Sequence, residues 1–189
     1  MRFNMGCGRR LDGYVNVDAE SGAEADQVFD LEQTPWPWPD SCATEIRFIH
    51  ALEHMGGAPK VFLAIMREIY RIAAPGCEVV IVVPHPRHDS FFSDPTHVRP
   101  IGPDTLKLFD KRLNDEWAAG GIPNTPLAHY LGVDFAMSRN TTVIAEPFAS
   151  QRERGEIDDA EVAKLVRFQN NVAIEHGFVL VARMPLREV

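Results

Sequence analysis

Two glycines and an aspartate near the start of the chain have the types and spacing of a nucleoside-binding turn. Gly6 and Gly8 follow the short apolar run RFNM, and Asp18 ends a second apolar run, YVNVD. Glycine has no Cβ, so a ligand can approach the backbone closely there. A carboxylate that ends the next strand can accept hydrogen bonds from the hydroxyls of a ribose. The simpler alternative is a tight turn between two strands that binds nothing.

The same stretch lacks the features that hold a dinucleotide. Its run G-C-G-R-R-L has no third glycine, and Asp18 follows Gly8 by ten residues, against roughly 20 in the dinucleotide fingerprint. The intervening residues are too few for a crossover helix, which needs about a dozen. Without a helix N-terminus the turn is poorly suited to a pyrophosphate. The residues therefore favour a nucleoside without phosphates, such as S-adenosylmethionine.

Histidines that could transfer a proton are concentrated in the segments that follow the predicted strands. Imidazole titrates near neutral pH and is therefore suited to general-base catalysis. For each of these histidines the alternative is a loop position with no proton role. The candidates are His50, His54, His85, His88 and His97.

The segment HPRHDSFFSDPTH contains five side chains of metal-ligand type, but their spacing is not a recognised zinc pattern. A structural alternative is that Asp94 caps a turn before Pro95 and that His97 braces the loop. From the sequence we therefore assign no metal site. The five side chains are His85, His88, Asp89, Asp94 and His97.

The whole chain has the composition of an ordinary globular protein. It has 189 residues and a formal net charge of −8, with 45% hydrophobic and 24% charged residues, which predicts one domain over residues 1–189. The acidic balance makes a nucleic-acid partner unlikely on physical grounds, because such proteins present a basic face. Cys7, Cys42 and Cys77 form no CxxC pair, so neither a disulfide framework nor a zinc knuckle is expected. No signal peptide or membrane-length apolar run is present, which predicts a cytoplasmic protein without a membrane partner.

The elements that would position these residues follow an α/β pattern. EIRFIHAL (45–52) is predicted as a strand, PKVFLAIMREIYRIAAPG has apolar residues at helical spacing, and EVVIVVP is typical of a strand buried on both faces. After Pro84 we predict a loop and then a helix in PDTLKLFDKRL. FAMSRNTTVIAEPF and GFVLVARMPL are predicted as late strands around a helix that starts at Asp158 or Asp159. Their spacing is not that of a βαβ unit, so an antiparallel pair at a sheet edge is expected.

Together these motifs resemble the class I S-adenosylmethionine-dependent methyltransferases, in the group with a small methyltransferase domain. In family order they are NMGCG with GYVNVD, DLEQTPWPWPDSCATEI, HALEHM, REIYRIAAPGCEVVIVVPH and DPTHVRP. The resemblance implies a Rossmann-like, seven-stranded, mainly parallel sheet with an antiparallel edge hairpin and helices on both faces. It also implies a cofactor half at about 1–84, and acceptor-side loops with the edge hairpin at about 85–189.

Matching the motifs residue by residue implies a set of cofactor-binding positions. The turn at 6–8 would pass the methionine part of S-adenosylmethionine, and Asp18 would bind the ribose. Asp30 and Leu31 would lie beside the adenine, and His50 would line the floor near the methyl group. Trp36 and Trp38 would either stack on a ring of the ligand or pack their loop onto the sheet. The candidate cofactor-binding residues are Gly6, Cys7, Gly8, Asp18, Asp30, Leu31 and His50.

The candidate catalytic residues implied by the same match are His50 and His54, with Glu53 just beyond the site. A sulfonium is already an activated leaving group, so positioning supplies most of the acceleration. A base is needed only if the acceptor must lose a proton.

The resemblance leaves three functions open. One is a methyltransferase acting on a small-molecule or glycan-type acceptor, and another is a catalytically inactive S-adenosylmethionine-binding or regulatory protein of the same fold. The third is a methyltransferase acting on a nucleic acid or a protein. Family members usually carry a helix before the first strand, and here the chain starts almost at that strand. We therefore expect either that cofactor binding is weak or that the site is covered by another part of the chain or by a partner subunit, as in a homodimer. The sequence has no Asn-Pro-Pro-aromatic or Asp-Pro-Pro-aromatic tetrad and no Pro-Cys pair, which disfavours methylation of nucleic-acid bases.

Overall fold

The structure is a computed structural model that describes residues 1–184, and its centre is one sheet of seven strands. In chain order the strands are β1 (Arg2–Met5), β2 (Val15–Asp18), β3 (Gln27–Val28), β4 (Ala43–Ile49), β5 (Ala73–Pro84), β6 (Phe135–Ile144) and β7 (Ala173–Ala182). Across the sheet they lie in the order β3-β2-β1-β4-β5-β7-β6. Strands β1 to β5 pair in parallel, whereas β7 is antiparallel to both β5 and β6.

This topology confirms the predicted Rossmann-like α/β fold, with a mainly parallel sheet and an antiparallel pair at its edge. The edge pair is not closed by a tight turn, because helices α6 (Phe148–Glu153) and α7 (Asp159–Phe168) lie between β6 and β7. Asp158 caps α7 by accepting a hydrogen bond from the backbone N–H of Glu161, close to the predicted start. The predicted final strand ends with Pro185 and Leu186, which lie outside the described residues. The predicted domain, 1–189, likewise includes residues 185–189, which are outside the described part.

One face of the sheet forms the hydrophobic core. The strand register places Phe3, Ile46, Val79 and Leu180 side by side in one row, and each is at most 1% exposed. β-Branched and aromatic side chains fill such a pleated surface well. The neighbouring row on the other face begins with a buried residue, Asn4, and is half-buried further along the sheet.

Helix α1 (Pro59–Ile72) connects β4 to β5 as the helical spacing predicts. Its apolar side chains Phe62, Ile65, Ile69 and Ile72 join the core of the sheet. Proline occupies the first helical position, where its missing N–H has no intrahelical partner to lose. At 14 residues α1 is too short to span a bilayer, and no helix among residues 1–184 is long and apolar enough to do so.

The segment between β5 and β6 contains more helix than the sequence predicts. The predicted loop contains α2 (Asp89–Ser93), and the helix predicted in PDTLKLFDKRL is divided into α3 (Pro103–Lys107) and α4 (Lys111–Ala119), followed by α5 (Leu127–Leu131). The division lies at Asp110, whose side chain accepts a hydrogen bond from the backbone N–H of Leu113 and thereby starts a new helix. Side-chain capping, rather than hydrophobic spacing, therefore sets this boundary.

The segment DLEQTPWPWPD packs onto the core through its two tryptophans. The Trp36 and Trp38 side chains are 3% and 5% exposed, and the ring of Trp38 lies 5.0 Å from that of Phe3. The Trp36 indole N–H donates to the carbonyl of Leu31 at 2.9 Å. Glu68 of α1 accepts a hydrogen bond from the Trp36 backbone N–H. Of the two interpretations of these tryptophans, the structure therefore supports packing onto the sheet.

Candidate functional site

A cavity of about 550 Å³ opens where β1, β2, β3 and β4 end. This volume lies in the range of small-ligand sites, and the carboxyl edge of an open α/β sheet is where such ligands bind. The described residues that line it are Gly6, Gly8, Asp18, Ala19, Glu20, Phe29, Asp30, Leu31, Glu32, His50, Ala51, His54, Met55 and Thr96.

The turn after β1 requires glycine at its first position. Gly6 has φ +64°, and a Cβ placed on it would lie 2.6 Å from the Cβ of Ala51. Gly8 also has positive φ, +46°, but a Cβ there would meet no described atom within 4 Å. Cys7 lies between them, and its backbone N–H donates to the carbonyl of Val17 at 3.0 Å. The Cys7 side chain is buried and is not among the residues on the cavity wall, and burial raises the pKa of its thiol.

Asp18 connects the glycine turn to the cavity. One of its carboxylate oxygens accepts a hydrogen bond from the backbone N–H of Gly8 at 2.9 Å, and the other accepts from that of Glu20 at 3.0 Å. A carboxylate has about four acceptor positions, so each oxygen can accept a further bond. Asp18 can therefore hold the turn in place and still offer two acceptors to a diol in the cavity.

A polar network takes the place of a crossover helix between β1 and β2. Asn16 is fully buried, and its amide bridges the side chains of Asn4 and Asp26 at 2.9 Å each. Asn16 also bonds the backbone of Leu11 through both an acceptor and a donor. Hydrogen bonds from the Asn16 backbone and side chain, and from Arg10, lower the pKa of Asp26 to about 2. The connecting loop is thus held by satisfied buried hydrogen bonds.

The opposite side of the cavity is formed by the residues after β3. Asp30 accepts hydrogen bonds from the Glu32 backbone N–H at 2.9 Å and from the Gln33 side-chain amide at 3.2 Å. Leu31 is 3% exposed and adds a small apolar surface. Glu32 accepts a hydrogen bond from the backbone N–H of Gly56 at 2.6 Å, which ties this side to the segment after β4.

His50 lies at the floor of the cavity between two carboxylates. Its Nε2 is 3.1 Å from Oε2 of Glu175, and its Nδ1 is 3.6 Å from Oε1 of Glu53. The His50 side chain is 48% exposed, so it is open to a ligand. Its backbone has φ +51° and donates to the carbonyl of Val82, which fixes the ring at the end of β4.

Comparison with known proteins identifies the fold. Neither a protein-family model nor a curated protein matches the sequence. Among solved structures, an S-adenosylmethionine-dependent methyltransferase from Archaeoglobus fulgidus superposes with a TM-score of 0.59 at 18% identity, over 89% of this chain and 75% of that one. The [4+2]-cyclase SpnF superposes with a TM-score of 0.50 at 13% identity, over 90% of this chain and 66% of that one.

This chain has the S-adenosylmethionine-dependent methyltransferase fold. In this chain the fold consists of a sheet with the order β3-β2-β1-β4-β5-β7-β6, in which β7 is antiparallel to both of its neighbours. Within this methyltransferase fold, the glycine turn, Asp18 and His50 lie at the ends of three neighbouring strands.

The remaining candidate histidines divide into two groups. His85 is buried against His176, with ring centroids 4.6 Å apart, and burial lowers its pKa to about 4. His88 caps α2 by accepting from the Ser90 backbone N–H. His97 instead packs against His54, with ring centroids 4.5 Å apart, next to the cavity.

Most of the predicted site residues line the same cavity in this fold. Gly6, Gly8, Asp18, Asp30, Leu31, His50 and His54 all line the cavity, and Cys7 does not. Their binding and catalytic roles stay predictions. Sequence reasoning did not name several lining residues, most of which lie within two positions of a predicted site residue in the chain. They include Glu20, Phe29, Glu32, Met55 and Thr96.

Thr96 is a lining residue that the sequence analysis did not name, although it belongs to one of the motifs quoted there. It belongs to the motif DPTHVRP, but its approach to the cavity comes from His54, 42 residues away, whose Nδ1 lies 2.8 Å from the Thr96 hydroxyl. Asp94 accepts hydrogen bonds from both the backbone N–H and the hydroxyl of Thr96. This is the turn-capping role expected of Asp94.

Proposed function

We propose that this chain binds S-adenosylmethionine in the 550 Å³ cavity and transfers its methyl group to a small-molecule or glycan-type acceptor. The observation that carries the proposal is the convergence of the glycine turn, Asp18 and His50 on one cavity at the carboxyl edge of a methyltransferase-fold sheet. These residues come from three separate sequence motifs. Their meeting in one cavity supports a common ligand.

The charge of the cavity supports a cationic nucleoside rather than a phosphate. Four of its lining side chains are carboxylates, Asp18, Glu20, Asp30 and Glu32. Opposite charges a few ångströms apart attract by several kcal/mol in a partly desolvated site, of order 4 kcal/mol at 4 Å. A sulfonium with an amino group benefits from that field, whereas a pyrophosphate is repelled by it. The ribose diol would bond Asp18, and the adenine would lie along Leu31.

The reaction requires little covalent chemistry from the protein. The acceptor atom forms a bond to the methyl carbon while the carbon–sulfur bond breaks, and the electron pair stays on sulfur as a neutral thioether. His50 would take the acceptor's proton, and the imidazolium would then lie between the carboxylates of Glu175 and Glu53. Glu175 acts as the positioning residue in this arrangement.

The fold alone does not fix this reaction, since one similar solved structure is a [4+2]-cyclase. The experiment is calorimetric titration of the full chain with S-adenosylmethionine, S-adenosylhomocysteine and, as a phosphate-bearing comparison, NAD. We expect the first two to bind and NAD not to bind. Absence of heat with both S-adenosyl ligands at millimolar concentration would overturn the proposal.

The variant that tests the site is Asp18→Ala, with Asp12→Ala as the matched control. Loss of the ribose hydrogen bonds to a charged acceptor is expected to weaken binding at least about 100-fold, since each such bond contributes about 1.5–3 kcal/mol. Asp12 is exposed and lies outside the cavity wall, so its variant should bind as the parent does. Thermal unfolding of both variants controls for the turn hydrogen bonds that Asp18 also makes. Unchanged affinity in Asp18→Ala would show that Asp18 is not the ribose ligand.

A further inference from the structure

A cluster of three ligand-type side chains lies directly behind the His54 side of the cavity. Glu53 and His54 belong to the short 3-10 turn Leu52–His54, and His97 belongs to the loop after α2. One ligand atom from each of the three side chains lies within 4.8 Å of the others. Backbone hydrogen bonds connect the two segments: the N–H groups of Val98 and Arg99 both donate to the carbonyl of Glu53.

Glu53 is a buried carboxylate that lacks hydrogen bonds. Its side chain is fully buried, and neither carboxylate oxygen has a hydrogen-bond partner among residues 1–184; Nδ1 of His50 lies 3.6 Å from Oε1, beyond hydrogen-bond distance. Burial raises the pKa of this carboxyl group. A buried charge without partners costs several kcal/mol, and proteins retain such groups when they are paired or coordinate a metal. The oxygens of Glu53 are therefore available to a cation.

The hydrogen bonds of His54 leave its other nitrogen free. The Thr96 hydroxyl donates its single proton to Asp94 at 2.6 Å, so it can only accept from His54 Nδ1 at 2.8 Å. Assigned from these partners, Nδ1 of His54 carries the proton and Nε2 carries a lone pair.

His97 is held in the same tautomer by a different partner. Its Nδ1 lies 2.9 Å from the carbonyl of Phe91, and a carbonyl can only accept. Nδ1 of His97 is therefore the protonated nitrogen, which leaves Nε2 as a lone pair. Metal-ligating histidines almost always donate the other ring N–H in this way, to a carboxylate, a carbonyl or water.

We propose that Glu53, His54 and His97 form a binding site for a divalent transition metal of the zinc class. Two imidazoles and one carboxylate are a ligand set suited to Zn²⁺, Fe²⁺ and related ions, whereas Mg²⁺ prefers oxygen ligands alone. Three protein ligands leave at least one coordination position open. His54 and Thr96 line the cavity, so the cluster lies beside it.

This site differs from the sequence expectation in two respects. The loop 85–97 alone gives no ligand pattern, and only His97 of its five ligand-type side chains joins the cluster. His54 is then a metal ligand rather than the candidate base, which leaves His50 for that role. The inference stands independently of methyl transfer, because it depends only on Glu53, His54, His97 and their partners.

The experiment is titration of the chelator-treated full chain with Zn²⁺ by calorimetry, with Co²⁺ absorption as a second signal. We expect one ion per chain, no competition by Mg²⁺, and at least 100-fold weaker binding in Glu53→Gln and in His97→Gln. The matched control is His129→Gln, since His129 is an exposed histidine that pairs with Asp115 and is not part of the cluster. It should bind Zn²⁺ as the parent does.

A fourth variant, Thr96→Val, tests the tautomer argument without removing a ligand. It should weaken Zn²⁺ binding by about 10–100-fold, the usual effect of losing an outer-shell partner. Circular dichroism of each variant establishes that it is folded, and if Glu53→Gln is not, His97→Gln decides. The proposal is overturned if the parent binds no stoichiometric Zn²⁺, or if its binding is unchanged in both Glu53→Gln and His97→Gln.

Discussion

Two of the walls of the cavity are built in different ways. The glycine-turn wall consists of Gly6, Gly8 and Asp18, and the histidine wall consists of His54 backed by Glu53 and His97. In the glycine-turn wall every polar group named above is satisfied by backbone neighbours within a few residues or across one strand pair. In the histidine wall the contacts join segments more than 40 residues apart, and the buried carboxylate of Glu53 has no hydrogen-bond partner among residues 1–184.

The comparison shows two ways in which a protein can fix the positions of the groups in a binding site. A wall made by backbone geometry tolerates few residue types but needs no ligand to be complete. A wall made by side chains from distant segments is complete only when its acceptors are occupied. We therefore expect the first wall to be most sensitive to changes in shape, and the second to respond to ions and pH.

The largest effect is expected from adding one methyl group to the glycine-turn wall. Gly6→Ala places a Cβ 2.6 Å from Ala51 and forces alanine to φ +64°. The left-handed conformation costs about 1–2 kcal/mol and the close contact about 1–3 kcal/mol, so the free energy of unfolding should fall by roughly 4 kcal/mol. Urea denaturation measures this loss.

Gly8→Ala is the matched control, because it changes only the backbone conformation. Its Cβ meets no described atom within 4 Å, so a loss of about 1 kcal/mol is expected. Equal losses in the two variants would show that the approach of Ala51 does not constrain the turn.

The second prediction removes the polar network that supports the same wall. Asn16→Ala leaves the buried side chain of Asn4 and the backbone of Leu11 with unpaired groups. Each unpaired buried group costs about 1–3 kcal/mol, so we expect a loss of about 3 kcal/mol in unfolding free energy. Asn140→Ala, on an exposed part of β6, should change stability by less than about 0.5 kcal/mol. A small effect of Asn16→Ala would mean that the loop needs no support from the amide.

The third prediction concerns a second histidine pair, His85 and His176, which is not part of the proposed metal site. It shows how burial alone changes the pH dependence of stability. His85 and His176 stack at nearly the same separation as His54 and His97. Nδ1 of His85 accepts a hydrogen bond from the Arg87 backbone N–H, and burial lowers the pKa of His85 to about 4. In the unfolded chain His85 therefore binds a proton below about pH 6.5, whereas in the folded chain it does so only below about pH 4.

Stability should therefore be retained above pH 6.5 and decrease as the pH falls, by about 2 kcal/mol between pH 7 and pH 5. Denaturation at several pH values measures this slope, and His85→Gln should reduce it. His85→Gln should also bind the same number of Zn²⁺ ions per chain as the parent, because His85 and His176 are not part of the proposed metal site. If the slope in His85→Gln equals that of the parent, other groups cause the acid sensitivity.

Sequence reasoning grouped the residues of the glycine-turn wall, and it named His54 and Glu53 but did not bring them together with His97. The physical reason is sequence separation. Gly6, Gly8 and Asp18 act through one strand–turn–strand unit, whose spacing is visible in the sequence. The meeting of Glu53 with His97 depends on how the loop after α2 folds back onto the 3-10 turn. No periodicity records such a contact.

The same distinction applies to the fold. The alternation of β5-type apolar runs with the amphipathic α1 predicts the parallel sheet, because burial sets both patterns. The division of α3 from α4 was not predicted, since it depends on one capping side chain, Asp110. Likewise the apolar pattern does not show that the buried polar residue Asn16 replaces a crossover helix.

The position of β7 has a consequence for the order in which the newly made chain can fold. β7 is the last of the described strands, yet it lies between β5 and β6, and Glu78 pairs with Val181. Until the ribosome has delivered Ala173–Ala182, β5 presents an unpaired edge with the apolar, β-branched run Val79–Val83. Such edges recruit strands from other chains. A polypeptide halted before β7 should therefore depend on chaperones to avoid aggregation.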